Sequence, residues 1–255
     1  MNKLGKFKKE AEEKFRLIEN NKKRVFIIHY SCESFIKHSQ RTPRISSIAI
    51  RNYESDQTYS FSINKIAEIE KKSMEQLQED YDELEKKMLS EYFDFLKEHM
   101  DCYYVHWNMR DINYGFEALK HRFKVLGGTP VNLDEDRLLD LNKLLIEYYG
   151  TNYASHPRLQ KLMEINNISN MNFLTGKEEA ECFDRCEYIK LHLSTLKKVD
   201  VIYNILNRQV NGTLKTNTNK FKQLINEILE SPIYKILSLI GVLWTIISIP
   251  LFFIK

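Results

Sequence analysis

The sequence predicts an α/β fold: a mixed sheet flanked by helices, followed by a C-terminal membrane anchor. Three observations carry this. Two neighbouring β-rich runs are joined by a polar turn, as in a hairpin. Short apolar runs then alternate with long segments of helical periodicity. Near the end, 19 consecutive residues carry no charge.

The first strand is Arg24 to Tyr30, a run of β-formers too short for a helix. Arg44 to Asn52 and Gln57 to Ile63 read as the second and third, paired across Tyr53-Glu-Ser-Asp56. A long helix is expected from about Asn64 to Met100. Its apolar positions Leu77, Tyr81, Leu84, Met88, Tyr92 and Phe95 step by three and four. It is long enough for a crossover to a parallel strand. Cys102 to Trp107 is that fourth strand. A helix from about Asp111 to Leu126 follows, ended by Gly127-Gly128. A short strand is expected near Thr129 to Leu133. Helices are expected over Leu138 to Tyr149, Pro157 to Asn166 and Lys177 to Gln209.

The termini depart from the average. Residues 1–24 hold nine basic and four acidic residues, whereas the whole chain is only +3. Residues 1–23 read as a basic amphipathic helix, most simply solvated. The stretch has no apolar core of the kind a secretion signal needs. Residues 24–212 form the α/β domain. In 213–231, Phe221, Leu224, Ile225, Ile228 and Leu229 follow helical spacing, which predicts an amphipathic juxtamembrane helix. The tail anchor is 232–255. Ile236 to Ile254, centred near Trp244, matches the roughly 20 residues a bilayer-spanning helix needs. Lys235 and Lys255 bracket it, and Lys215, Lys220 and Lys222 place the preceding domain on the cytoplasmic side. The expected location is the cell inner membrane, single-pass, with the soluble domain cytoplasmic.

The composition excludes several classes. With 43% hydrophobic residues and a mean hydropathy of −0.45, the chain is neither disordered nor polytopic. Phosphate-loop, dinucleotide-binding, nucleophile-elbow and zinc-protease motifs are all missing from the sequence. The four cysteines lack a C-x-x-C and read as reduced structural thiols.

The element order resembles the ribonuclease H-like fold, in particular the DEDD 3′–5′ exonucleases, over residues 24 to 210. Two stretches carry the likeness. Tyr30-Ser31-Cys32-Glu33 stands where that family has Asp-x-Glu at the end of its first strand. Tyr104-Val-His-Trp-Asn108, followed by Tyr114 to Gly127, looks like its second motif. The resemblance implies a five-stranded sheet whose first and fourth strands are parallel neighbours. It also implies an acidic site for two divalent cations, which stabilise attacking and leaving oxygens. In this sequence the first acid is Ser31, and only Glu33 is retained. Asp111 stands near the second position, and His192 with Asp200 near the third.

The resemblance therefore implies a catalytically degenerate domain that recognises nucleic acid or a nucleotide. Its candidate site residues are Glu33, Asp111 and His192, with Glu33 and Asp111 as ligands of Mg²⁺ or Mn²⁺ if cleavage survives. Arg44, Asn108, Arg110, Lys197 and Lys198 are the candidate nucleic-acid contacts, with Arg41, His121 and Arg122 nearby. These side chains equally suit structural roles. Asn108 and Asp111 fit a turn and a helix cap. His29 and His106 fit hydrogen-bonded core positions, and His192 a solvated helix face. An active metal-dependent nuclease and an oligomeric membrane effector or scaffold are the alternatives. A small anchored domain of this kind, in a Lys-, Asn- and Ile-rich chain, is similar to components of bacterial antiphage defence. Expected partners are a membrane, a second copy, or a defence-system protein.

Overall fold

The computed structural model describes residues 3–34, 42–111 and 113–218. Five strands form one mixed sheet: β1 Val25–Cys32, β2 Ile45–Asn52, β3 Thr58–Ser62, β4 Tyr103–His106 and β5 Leu138–Asp140, in the order β3-β2-β1-β4-β5. β1 pairs antiparallel with β2 and parallel with β4. β2 pairs antiparallel with β3, and β4 parallel with β5. The expected parallel β1–β4 neighbours are present, in the register Val25↔Tyr103 to Ile27↔Val105.

β1 and β2 are buried on both faces, which is why they read as largely apolar runs. Phe26, Ile28, Tyr30, Ile48 and Tyr104 face one core. That core is closed by α2 Ile63–Ile69, α3 Met74–Glu79, α4 Tyr81–Glu98 and α5 Phe116–Val125, with residues of α8 Gly176–Asp184. Val25, Ile27, Ala49, Val105 and Leu139 face the other. There they meet α1 Lys3–Asn20, α6 Leu141–Tyr149, α7 Arg158–Ile165 and α9 Tyr188–Val210. The N-terminal helix is not simply solvated. Ala11, Phe15 and Ile18 are buried in the second core, and only its opposite face carries the Lys and Glu residues.

Two expected long helices are broken, for the same physical reason. After α2, the Lys72 amide reaches the Ala67 carbonyl and that of Lys71 reaches Glu68, with Lys71 at φ +58°. After α8, Glu187 reaches Cys182 and Cys186 reaches Phe183, with Cys186 at φ +58°. Both are Schellman stops, which usually carry glycine at the left-handed position. Here Lys and Cys occupy it, so the apolar period runs on across the break. Ser73 and Gln76 then open α3 with a capping box, and α4 begins at Tyr81.

Two more boundaries differ from expectation. α5 starts at Phe116 rather than near Asp111. The Asp111 carboxylate accepts the Asn113 amide at 2.7 Å, a local turn, and Gly115 is the residue before the helix. The fifth strand is Leu138–Asp140 rather than 129–133. Its three residues continue the apolar pattern of α6, and Asp140 caps that helix by accepting the Lys143 amide at 3.2 Å.

At the other end, residues 213–218 are held against α7. Asn166 donates to the Lys215 carbonyl and accepts its amide, both at 2.9 Å, and Leu214 is buried. Among the described residues no helix is long and apolar enough to cross a membrane. The predicted anchor, with Ile236, Trp244 and Ile254, lies outside the described residues, as do Arg41 and most of the expected juxtamembrane helix.

Candidate functional site

Of the expected site residues, Glu33, Asn108, Asp111 and His192 each bond a different neighbour. β1 overruns β4. Ile27 is level with Val105, so Ser31 lies four residues further along, roughly 13 Å. β4 ends at His106, and Asn108 takes φ +57°, turning the chain away. The Asn108 amide oxygen accepts from Asn142 at 2.8 Å, on the α6 side. Asp111 is exposed in its own turn. Glu33 is buried, and its carboxylate accepts the Arg44 amide at 3.4 Å. His192 is not on a solvated face. Its Nδ1 shares a 2.8 Å hydrogen bond with the Ser47 hydroxyl of β2. Asp200 lies two turns further along α9, roughly 12 Å away, where it meets Arg51 at 3.2 Å and Lys197 at 2.9 Å.

The crevice between the ends of β1 and β4 is filled. Tyr114 stacks on Tyr30 at 4.6 Å and donates to the Tyr30 carbonyl at 3.0 Å. The Gly115 amide donates to the Tyr30 hydroxyl at 2.9 Å. A Cβ at Gly115 would stand 2.5 Å from the Met109 carbonyl oxygen, so glycine permits this closure.

Ser31, at the position of the family's first acid, belongs to a buried network on the α9 side. It donates to Glu179 Oε1 at 2.9 Å and accepts from Thr195 at 2.8 Å. Ser194 donates to the same carboxylate oxygen at 2.8 Å, and Lys198 Nζ meets Oε2 at 2.6 Å. An ammonium thus neutralises the carboxylate that faces Ser31. Lys198 is therefore buried rather than presented for phosphate. His29 is buried close by. Desolvation, followed by the Lys198 charge, holds its pKa well below the ordinary histidine value.

The other expected nucleic-acid contacts are also paired. Arg44 Nε lies 3.2 Å from Asp82 and its guanidinium covers the Tyr81 ring. Arg110 pairs with Asp140, and Lys197 with Asp200. Arg122 is buried between Glu85 at 2.6 Å and Asp82 at 2.7 Å, and Glu85 also accepts the Ile45 amide at 2.7 Å. Of that group His121 is exposed. All four cysteines are free thiols, as expected. Among the described residues no group of three His, Cys, Asp or Glu side chains is placed to hold a metal ion.

A separate polar site lies at the C-terminal edge of β4 and β5. Register partners His106 and Asp140 stand side by side there. His106 Nδ1 accepts the Met109 amide at 3.1 Å, so the ring proton sits on Nε2. Burial lowers the His106 pKa to about 4, against a smaller opposing effect of Asp140. A crevice of 540 Å³ opens beside the pair, lined also by Arg110, Phe116, Lys143 and Glu147. Open sheets place ligands at this edge. His106 holds the hydrogen-bonded core position expected of it, whereas Asp140 was not among the expected site residues. The available signal was an Asp just before the periodic run Leu141 to Tyr149, which marks a helix start.

No family model matches the chain, and neither a curated protein nor a solved structure matches it.

Proposed function

We propose that the chain is a membrane-tethered recognition protein built on a ribonuclease H-like domain that no longer cleaves. One observation carries the loss of cleavage. Ser31 replaces the first metal-binding acid of the exonuclease pattern, and the carboxylate nearest to it, Glu179, is held by the Lys198 ammonium at 2.6 Å. Two-metal phosphodiester cleavage needs several carboxylates converging on the cations. Glu33, Asp111 and Asp200 sit in three separate settings. Support for the family frame comes from the parallel β1–β4 pair beside an antiparallel β2. Support for the tether comes from the uncharged run Ile236 to Ile254.

The recognised partner in this reading is a nucleotide or nucleic acid, and the setting is bacterial antiphage defence at the inner membrane. A second reading, an oligomeric membrane scaffold, is favoured by one finding. Arg44, Arg110, Arg122, Lys197 and Lys198 each already bond a carboxylate, which weakens a phosphate-binding face. Filter binding and cleavage assays separate the readings. Full-length protein in detergent is mixed at low salt with single-stranded DNA and RNA, with Mg²⁺ or Mn²⁺. Binding that falls steeply with salt, without cleavage, is the expected result. Cleavage lost in Glu33→Ala would restore the active-nuclease reading. No binding to any oligonucleotide or nucleotide would leave the scaffold.

A further inference from the structure

The crevice beside His106 and Asp140 has the size, the apolar floor and the donor of a small-molecule site. Its 540 Å³ falls among ordinary ligand pockets, roughly 300–1,000 Å³. Met109, Phe116 and Leu144 supply an apolar lining. His106 is only 1% exposed. Its Nδ1 is occupied by the Met109 amide, which leaves Nε2–H as the donor of a ring that lines the crevice. A ligand oxygen entering the crevice would accept from it.

The rim decides the ligand's charge. Six carboxylates line the crevice against three cationic side chains, and one cation, Arg110, is already paired with Asp140. Glu147 of α6 and Glu10 of α1 face the same opening. Burial raises the Glu147 pKa; its Lys143 neighbour at 3.8 Å opposes this, and Glu10 adds a smaller like-charge effect. Such a rim attracts cations and repels phosphate.

We infer that this crevice binds a small organic cation carrying a neutral oxygen acceptor, the class of amino-acid amides and amino alcohols. The ligand oxygen accepts from His106 Nε2–H. Its ammonium group sits between Glu147 and Glu10, and its hydrocarbon part covers Phe116 and Leu144. The site goes beyond the recognition function proposed above and holds whether or not the domain is ribonuclease H-like.

Titration calorimetry of the full chain in nonionic detergent tests it, with leucinamide as the probe. Leucine (an added carboxylate), 4-methylvaleramide (no ammonium) and adenosine monophosphate are the comparisons. Leucinamide is expected to bind and each comparison to bind at least tenfold more weakly. Glu147→Gln, at a half-buried position, is expected to weaken leucinamide about tenfold by removing a charge-assisted hydrogen bond. His106→Phe removes the donor and should weaken it similarly. Absence of leucinamide binding at about 10 mM overturns the inference, as a Kd above that limit leaves only about 2.7 kcal/mol. So does adenosine monophosphate binding as tightly as leucinamide, or unchanged affinity in Glu147→Gln. Adenosine monophosphate binding would support the nucleotide reading above; the other outcomes do not bear on nucleotide or oligonucleotide binding or on cleavage.

Discussion

Replacing Lys198 with methionine is the sharpest test of the buried network. The substitution keeps the length of the side chain and removes its charge. Glu179 then stays in the core without its cation, although the Ser31 and Ser194 hydroxyls still donate to it at 2.9 and 2.8 Å. Removing one partner of a buried ion pair costs about 3–5 kcal/mol. The two remaining donors place this case at the lower end, about 3 kcal/mol. For a domain of this size each kcal/mol lowers the melting midpoint by about 2–4 °C, so a fall of roughly 6–12 °C is expected. Lys198→Met combined with Glu179→Met removes both charges and should recover about half of that loss. The assay is thermal unfolding of the parent, both single variants and the double variant, read as a double-mutant cycle. A single variant melting within about 2 °C of the parent would refute the reasoning. So would additive single effects, since a bonded pair must show coupling.

Three further outcomes follow from the geometry. His106 takes up a proton only near pH 4 when folded, against about 6.5 when unfolded. The unfolded chain therefore binds the extra proton first, and stability is lost as pH falls from about 6.5 to about 4, by roughly 3 kcal/mol. An NMR titration of the His106 ring with a midpoint near 6.5 would contradict this. Glu85→Ala strands the Ile45 amide and leaves the Arg122 guanidinium with only the Asp82 carboxylate, and should cost about 3 kcal/mol by urea unfolding, while Glu85→Gln should cost less. Gly115→Ala drives a methyl group into the Met109 carbonyl and should cost about 1–3 kcal/mol, with increased hydrogen exchange at the Gly115-equivalent amide now bonded to Tyr30; an unchanged melt would show that the loop gives way freely.

Four of the five strands were legible because they carry their signal locally, whereas β5 is three residues that continue the apolar run of α6. Val25 to Tyr30, Ile45 to Ile50 and Tyr103 to Val105 are apolar β-formers buried on both faces, and each appeared within two residues of its place. Helix breaks were not legible where a left-handed stop used Lys71 or Cys186 in place of glycine. The N-terminal helix was misjudged because its Ala11, Phe15 and Ile18 stripe is narrow amid the charges, and its partners α6 and α9 are distant in sequence. The partners of the candidate residues were hidden for a different reason. Strand overrun and the turn at Asn108 set which polar residues meet, and neither is encoded near Glu33 or His192. Lys198 and Arg44 read as surface cations because their carboxylate partners, Glu179 and Asp82, lie 19 and 38 positions away in sequence.

The clasp between Asn166 and Lys215 has a mechanical consequence. Any pull on the chain from residue 219 onward is taken first by the Asn217 amide, bonded to the Tyr153 carbonyl at 2.8 Å, then by the two opposed hydrogen bonds at Lys215 and by buried Leu214, before it reaches α9. Because the load enters beside α7, tension would peel the 213–218 segment from that helix rather than shear the sheet. Asn166→Ala would remove both bonds at Lys215 and leave the segment held by the Asn217–Tyr153 bond and by Leu214 in the second core.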